Sequence, residues 1–391
     1  FKQKTAYEMV LRDWSSDVCS SDLLGEGTVE RTVDVETIPD ILTPVVKRSH
    51  RSPLCFKYAP TRISSIPPMS ETAQEPPDLG GYAEAISRIT GAVAGFVRGK
   101  PDVIELALTC LLAEGHLLLD DVPGVGKTSL ARALAQAMGL RWRRIQFTPD
   151  VLPSDITGVS IYNQGTGSFA FHKGPVFALI VLAAELNRAT PRTQSALLEA
   201  MEERTVSVDG VTRDLPRPFV VIATQNPVDM AGTYPLPEAQ LDRFLIRTSI
   251  GYPDQGAEVE VVSNHHHGVQ VSAIDPVTSP EEVLALIAAA ARVTVEPDVI
   301  EYVVRVVTAT RTAAGVALGS SPRGSVGLLR AIRARALVQG RSYATPGDVQ
   351  ALAEPVLAHR ILLDVDGQAR GLTGASVIAE VVASTPAPQP A

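Results

Sequence analysis

Residues 115–138, GHLLLDDVPGVGKTSLARALAQAM, limit what this chain can fold into more than any other stretch. Leu117, Leu118 and Leu119 have the apolar continuity of a strand buried on both faces. Asp120 to Thr128 follows as a loop with one proline and two glycines. Leu130, Leu134, Ala137 and Met138 then recur at helical spacing. Strand, glycine-rich loop and helix in that order predict a phosphate-binding loop. The glycines let backbone N–H groups converge as a nest, and the helix N-terminus adds partial positive charge. The candidate nucleotide-binding residues are Gly124, Val125, Gly126, Lys127, Thr128 and Ser129, with ATP and Mg2+ as the expected cofactors. Lys127 would reach the β- and γ-phosphates, and the Thr128 hydroxyl would be the Mg2+ ligand. The full pattern asks for glycine five residues before Gly126, where this chain has Asp121.

Downstream, short β-rich runs alternate with helical periods. Arg144 to Phe147 suggests a strand, and Gly158 to Phe171 reads as a hairpin turning at Asn163 to Gly167. Ala178 to Ala183 is a continuous apolar run, read as a central parallel strand that leads into Ala184-Glu185-Leu186-Asn187-Arg188. After a helix over 193–203, residues 205–215 form a second hairpin on Asp209-Gly210. Phe219 to Thr224 is another strand, ending at Gln225-Asn226-Pro227, and Leu245 to Ile250 can supply a last one. The predicted class is α/β, with a mainly parallel sheet and inserted hairpins. Ligands bind such sheets at the carboxyl ends of the strands, where Lys127, Glu185 and Asn226 would meet. Past Asp254 only helical signals remain, including Ser279-Pro280-Glu281-Glu282 and Thr345-Pro346-Gly347-Asp348 as starts.

The expected divisions follow from these changes of character. Residues 80–254 form the nucleotide-binding domain, 255–271 a linker, 272–382 an all-helical domain and 383–391 a disordered tail. Residues 1–68 lack any amphipathic plan and are expected to be non-native or disordered, with Met69 a native start and 69–79 a polar lead-in. The first 23 residues resemble translated sequencing-adaptor DNA. No apolar run reaches the ~18 residues that a membrane helix needs. The formal net charge of −8 argues against a broad nucleic-acid footprint. Cys19, Cys55 and Cys110 show no paired spacing, which fits a reducing, cytoplasmic setting. Consecutive histidines at 265–267 do not converge on one metal ion.

Four further residues are candidate catalytic groups. Glu185, just past a buried strand, could orient and deprotonate a water attacking a γ-phosphate. An aspartate immediately before it would normally hold Mg2+ through its waters, and this chain has Ala184. Asn226 could hold the same water by hydrogen bonding. Arg323 stands in the first turn of a predicted helix, where the macrodipole disfavours a cation by ~0.3–1 kcal/mol. A nucleotide phosphate between the two domains is a candidate anion to offset that cost. Arg243 could act as an arginine finger toward a neighbouring subunit.

The chain from about residue 80 to 382 resembles the MoxR family of AAA+ ATPases. The matching runs are DVPGVGKTSLARALA, RIQFTPDVLPSDITG, GSFAFHKGPVFA, NRATPRTQSALLEAMEE, VIATQNPVDMAGTYPLPEAQLDRF, GSSPRGSVGLLRA and YATPGDVQALAEPVLAHRI. The resemblance implies an AAA+ α/β domain with a helical lid, a homo-oligomeric ring of six, and ATP hydrolysis driving chaperone-like work on protein clients. It implies partners containing von Willebrand factor A domains, and no nucleic acid is expected. It places Asn226 at sensor 1, Arg243 at the arginine finger and Arg323 at sensor 2. Ala184 falls on the Walker B aspartate, and Leu186 departs from the family's isoleucine. Either a single-base read error or a true variant accounts for Ala184. A nucleotide-binding scaffold that barely hydrolyses ATP therefore stands beside the ATPase reading.

Overall fold

The computed structural model describes residues 80–226, 232–266 and 274–389. The chain divides into two compact units at residues 71/72, and every described residue belongs to the second. The expected non-native segment 1–68, its adaptor-like start and the polar stretch 69–79 lie outside the described residues.

Among the described residues, nine strands lie in the first part of this unit. They are β1 (Leu117–Asp120), β2 (Trp142–Gln146), β3 (Gly158–Asn163), β4 (Ser168–Lys173), β5 (Ile180–Ala184), β6 (Thr205–Val208), β7 (Val211–Asp214), β8 (Val220–Gln225) and β9 (Ile246–Thr248). Five of them form one sheet in the order β2-β5-β8-β1-β9, every neighbouring pair parallel. β3 with β4, and β6 with β7, form separate antiparallel hairpins. In the second hairpin Asp209 (φ 53°) and Gly210 (φ 73°) are both left-handed, the geometry of a two-residue primed turn.

The period of two along each central strand divides the core. Leu117, Leu119, Ile180, Leu182, Val220 and Ile222 face one side; Leu118, Val181, Ala183, Val221 and Ala223 face the other. The first face packs on helices Gly80–Ala94, Pro101–Leu112 and Lys127–Ala137, and the same core runs on into the later helices. Leu197, Leu198 and Met201 of helix Pro191–Glu203 cover the second. Both faces are buried, which is why these strands read as unbroken apolar runs.

The part of the chain after residue 274, expected as the lid, is built on helices Pro280–Ala291, Pro297–Ala309, Pro322–Val338, Pro346–Leu357 and Gly374–Ser384. Proline opens the first four, where its missing N–H costs no helical bond. Ser279 accepts the Glu282 N–H at 3.2 Å, and Thr345 with Asp348 closes a capping box. Asp348 is fully buried and accepts from Arg335 (2.6 Å) and Arg341 (2.7 Å). Burial raises the pKa of its carboxyl, but the bonds from Arg341 and Thr345 outweigh that and hold it below the usual value.

Two features escape helical periodicity. A ribbon of β10 (Val316–Leu318) and β11 (Leu362–Leu363) is stitched into the lid, too short to leave a pattern. Residues 255–271, expected as a linker, begin with helix Gln255–His266. Its Val259, Val261 and Val262 are exposed, so it carries no apolar stripe by which to recognise it. No described helix is long and apolar enough to cross a membrane.

Candidate functional site

β1 delivers the chain to the carboxyl edge of the sheet, and the loop turns there. Gly124 (φ 90°) and Gly126 (φ 92°) are left-handed, and a Cβ on either would meet nothing within 4 Å. Backbone conformation rather than crowding demands glycine here, and the space over the loop is open. Gly126 is the N-cap of helix Lys127–Ala137, and no side chain caps it. The first-turn N–H groups of Lys127, Thr128 and Ser129 thus form an anion-receptive end. Lys127 Nζ donates to the carbonyls of Asp121, Val122 (3.2 Å) and Gln225 (3.1 Å). Partial burial draws its pKa down, against the fields of Asp121, Asp120 and Glu185.

Asp121 replaces the pattern's first glycine for a structural reason. Its carboxylate accepts the N–H groups of Val122 (2.7 Å), Ile250 (2.7 Å) and Gly251 (2.6 Å). The start of the loop is thereby pinned to the segment that follows β9.

The other carboxyl-edge residues converge through β8, the strand between β5 and β1. Thr224 Oγ1 accepts the Glu185 N–H at 3.0 Å, and the Asn226 carbonyl accepts from Asn187 at 3.1 Å. Glu185 holds a left-handed backbone (φ 59°), an uncommon state for a residue with a Cβ that clusters at functional sites. Its carboxylate is half-exposed and pairs with Arg188 at 2.9 Å. Ala184 follows the alternation of Ile180 and Leu182, so its methyl lies on the face that packs the P-loop helix. The residues fit a triphosphate. For Mg2+, Thr128 supplies a hydroxyl, but a methyl stands at the position expected to carry the second, carboxylate partner. Among the described residues no group of three or more His, Cys, Asp or Glu could hold a metal by itself.

Arg243 and Arg323 lie elsewhere. The Leu245 N–H donates to the His116 carbonyl (2.8 Å) just ahead of β1, so residues 243–245 mark the amino edge of the sheet. His116 Nε2 bonds the Met201 carbonyl at 3.2 Å, which brings the end of helix Pro191–Glu203 to the same edge. There Glu202 accepts from Arg243 (2.9 Å) through one carboxylate oxygen and from Arg323 (2.8 Å) through the other. The anion beside Arg323 in this structure is the Glu202 carboxylate. Length of β1 alone puts ~10 Å between this cluster and the P-loop. Glu202 was not visible in the sequence; within LLEAMEE it is one of three glutamates with no distinguishing mark.

The lid is locked to that edge. Arg360, 5% exposed, pairs with Asp242 (3.0 Å) and donates to the Phe244 carbonyl (2.7 Å), which also meets His359 Nε2 at 3.0 Å. Burial drives the pKa of His116 down to about 4 and that of His359 to about 3. Both folded values lie below the unfolded value near ~6.5, so the unfolded chain binds more protons between them. Their contribution is complete above pH ~6.5 and is lost as the pH falls toward 4. For His116 this is up to about 3 kcal/mol. Urea unfolding between pH 7 and 5, above most carboxylate titration, should show stability falling steadily; a flat profile would mean that neither imidazole is buried neutral.

Residues 116–246 match the family model described as ATPase family associated with various cellular activities (AAA), and 308–381 match the AAA lid domain. The chain is 46% identical over 312 residues to Bacillus subtilis YeaC, covering 80% of this chain and 95% of that protein. It is 42% identical over 320 residues to the Mycobacterium tuberculosis chaperone MoxR1, covering 80% and 84%. Methylorubrum extorquens MoxR is 31% identical over 335 residues, with 79% and 97% covered. Among solved structures, a putative ATPase from Cytophaga hutchinsonii superposes with a TM-score of 0.74 at 36% identity, covering 79% of this chain and 96% of that one.

Proposed function

Since the chain belongs to the MoxR family of AAA ATPases, we propose that it couples ATP binding and hydrolysis to chaperone-like remodelling or maturation of protein clients. The observation that carries this reading is the division of the site between opposite edges of one sheet. One edge offers the phosphate nest, Lys127, Thr128, Glu185 and Asn226; the other offers Arg243 and Arg323. A single copy cannot close both around one nucleotide, so two adjacent copies share each site, and a ring of six cytoplasmic subunits satisfies every edge.

Within a shared site Lys127 neutralises phosphate oxygens, and Glu185 orients a water and takes its proton. Asn226 holds that water. Bound Mg2+, on Thr128, would neutralise charge building between the phosphates. Arg243 and Arg323 arrive together from the neighbour, which replaces a sensor 2 acting within its own chain. That the M. tuberculosis relative is named a chaperone supports a protein client; the partner class that the family resemblance suggests is proteins with von Willebrand factor A domains.

Ala184 favours a second reading, an ATP-gated scaffold with little turnover. Calorimetric titration of the full chain with Mg2+ and ATP tests the common premise. Lys127→Ala should weaken binding by at least about 10²-fold, since it removes the partly buried cation that faces the phosphates. Unchanged affinity would remove both readings. Turnover beside that titration separates them.

A further inference from the structure

Among the described residues, Glu202 is the one carboxylate that touches both amino-edge arginines. Arg243 approaches it with Nε and Nη2, each 2.9 Å from Oε2; Arg323 approaches Oε1 with Nη2 at 2.8 Å. The arginines come from unrelated elements, one from the segment before β9 and the other from the first turn of the lid helix Pro322–Val338. Without an anion between them their guanidinium groups would repel, and both side chains are long enough to splay apart. Arg360 adds a third guanidinium, whose pKa burial draws down, with the charge of Arg323 acting in the same direction. Three cations face two carboxylates, Glu202 and Asp242, and the cluster keeps a formal charge of 3 − 2 = +1.

The bonding leaves donors to spare. Each guanidinium carries five N–H groups in a planar fork, and Nη1 of both residues stays outside the bonds to Glu202. Arg323 is also 64% exposed in its side chain, so it is anchored at one end and open at the other. We propose that Glu202 is a positioning residue, holding Arg243 and Arg323 as one pre-assembled two-cation clamp for the phosphate of an adjacent copy. The proposal rests on the shared-site reading above. Pre-assembly removes the cost of ordering two rotamer-rich side chains when the copies meet. It also ties the lid helix Pro322–Val338 to the finger, because Glu202 bonds Arg323 of that helix and Arg243 at once.

The test compares full-length Glu202→Gln, Arg243→Ala and Arg323→Ala in steady-state ATP turnover and in ATP-dependent assembly by sedimentation velocity. The glutamine substitution keeps the side-chain shape but loses the charge that unites the arginines. With Glu202→Gln, kcat should fall about tenfold with KM within about twofold, because nucleotide is held by the other edge. The protein concentration for half-assembly in ATP should rise by a similar factor, a readout available even where turnover is slow. Loss of both effects in Glu202→Gln while Arg243→Ala and Arg323→Ala remain impaired overturns the proposal. Higher turnover in Glu202→Gln also overturns it, making the carboxylate a restraint. If the arginine variants match the parent in both readouts, the shared-site reading fails instead. Glu202→Asp, which keeps charge on a shorter arm, should recover part of the loss; no recovery, with an unchanged melting temperature, points against the charge itself.

Discussion

Ala184→Asp is expected to raise ATP turnover of the full chain by about 10²-fold and to lower nucleotide-free stability by about 1–3 kcal/mol. Both effects have one cause. Position 184 is 3% exposed and lies on the face of the sheet that carries the P-loop helix. A carboxylate there would join Thr128 in holding Mg2+ when metal and nucleotide are bound. Without them it is a desolvated charge. Adding Mg2+ and ATP should therefore return the stability through mass action. Turnover assays and thermal unfolding, each with and without Mg2+ and ATP, read the two halves. Equal turnover in parent and variant would show that Glu185 and its neighbours suffice, and the argument from the missing carboxylate would be wrong. Turnover in the variant beside none detectable in the parent selects the scaffold reading for the chain as it stands.

Arg243→Ala is expected to cost on the order of 10³ in kcat, the scale of an arginine finger supplied by a neighbour. KM should barely move, since the nest and Lys127 belong to the other copy. Mixing gives the sharper measurement. Lys127→Ala subunits cannot hold nucleotide but keep their arginines; Arg243→Ala subunits are the reverse. Mixed in equal amounts, they should recover a substantial part of parental turnover, measured in the Ala184→Asp background if the parent is slow. Two inactive variants that stay inactive when mixed would place Arg243 in its own subunit's site, against the amino-edge geometry.

Much of the carboxyl edge was legible in the chain because its signals are local. A strand, two left-handed glycines and an uncapped helix occupy 21 consecutive residues, Leu117 to Ala137. The Asp209-Gly210 hairpin was equally local, as were the proline-led helix starts. Asp121 looked like a defect in the pattern because its partners, Ile250 and Gly251, are about 130 residues away. The helix at 255–266 was hidden by its lack of an apolar face. The β10–β11 ribbon was hidden by its length.

The α/β class with its helical companion and the strand–glycine loop–helix order follow from residue order alone, and residue order also nominates the candidate site residues. They depend on short-range periodicity and backbone conformation, which a few neighbouring residues dictate. Where the competent residues stand is a matter of tertiary packing. Parallel strand order sends Lys127, Ala184, Glu185 and Asn226 to one edge of the sheet and Arg243 to the other. Lid packing then brings Arg323 onto Glu202, 121 residues away, to join it. Long-range packing sets that meeting, and no local pattern encodes it.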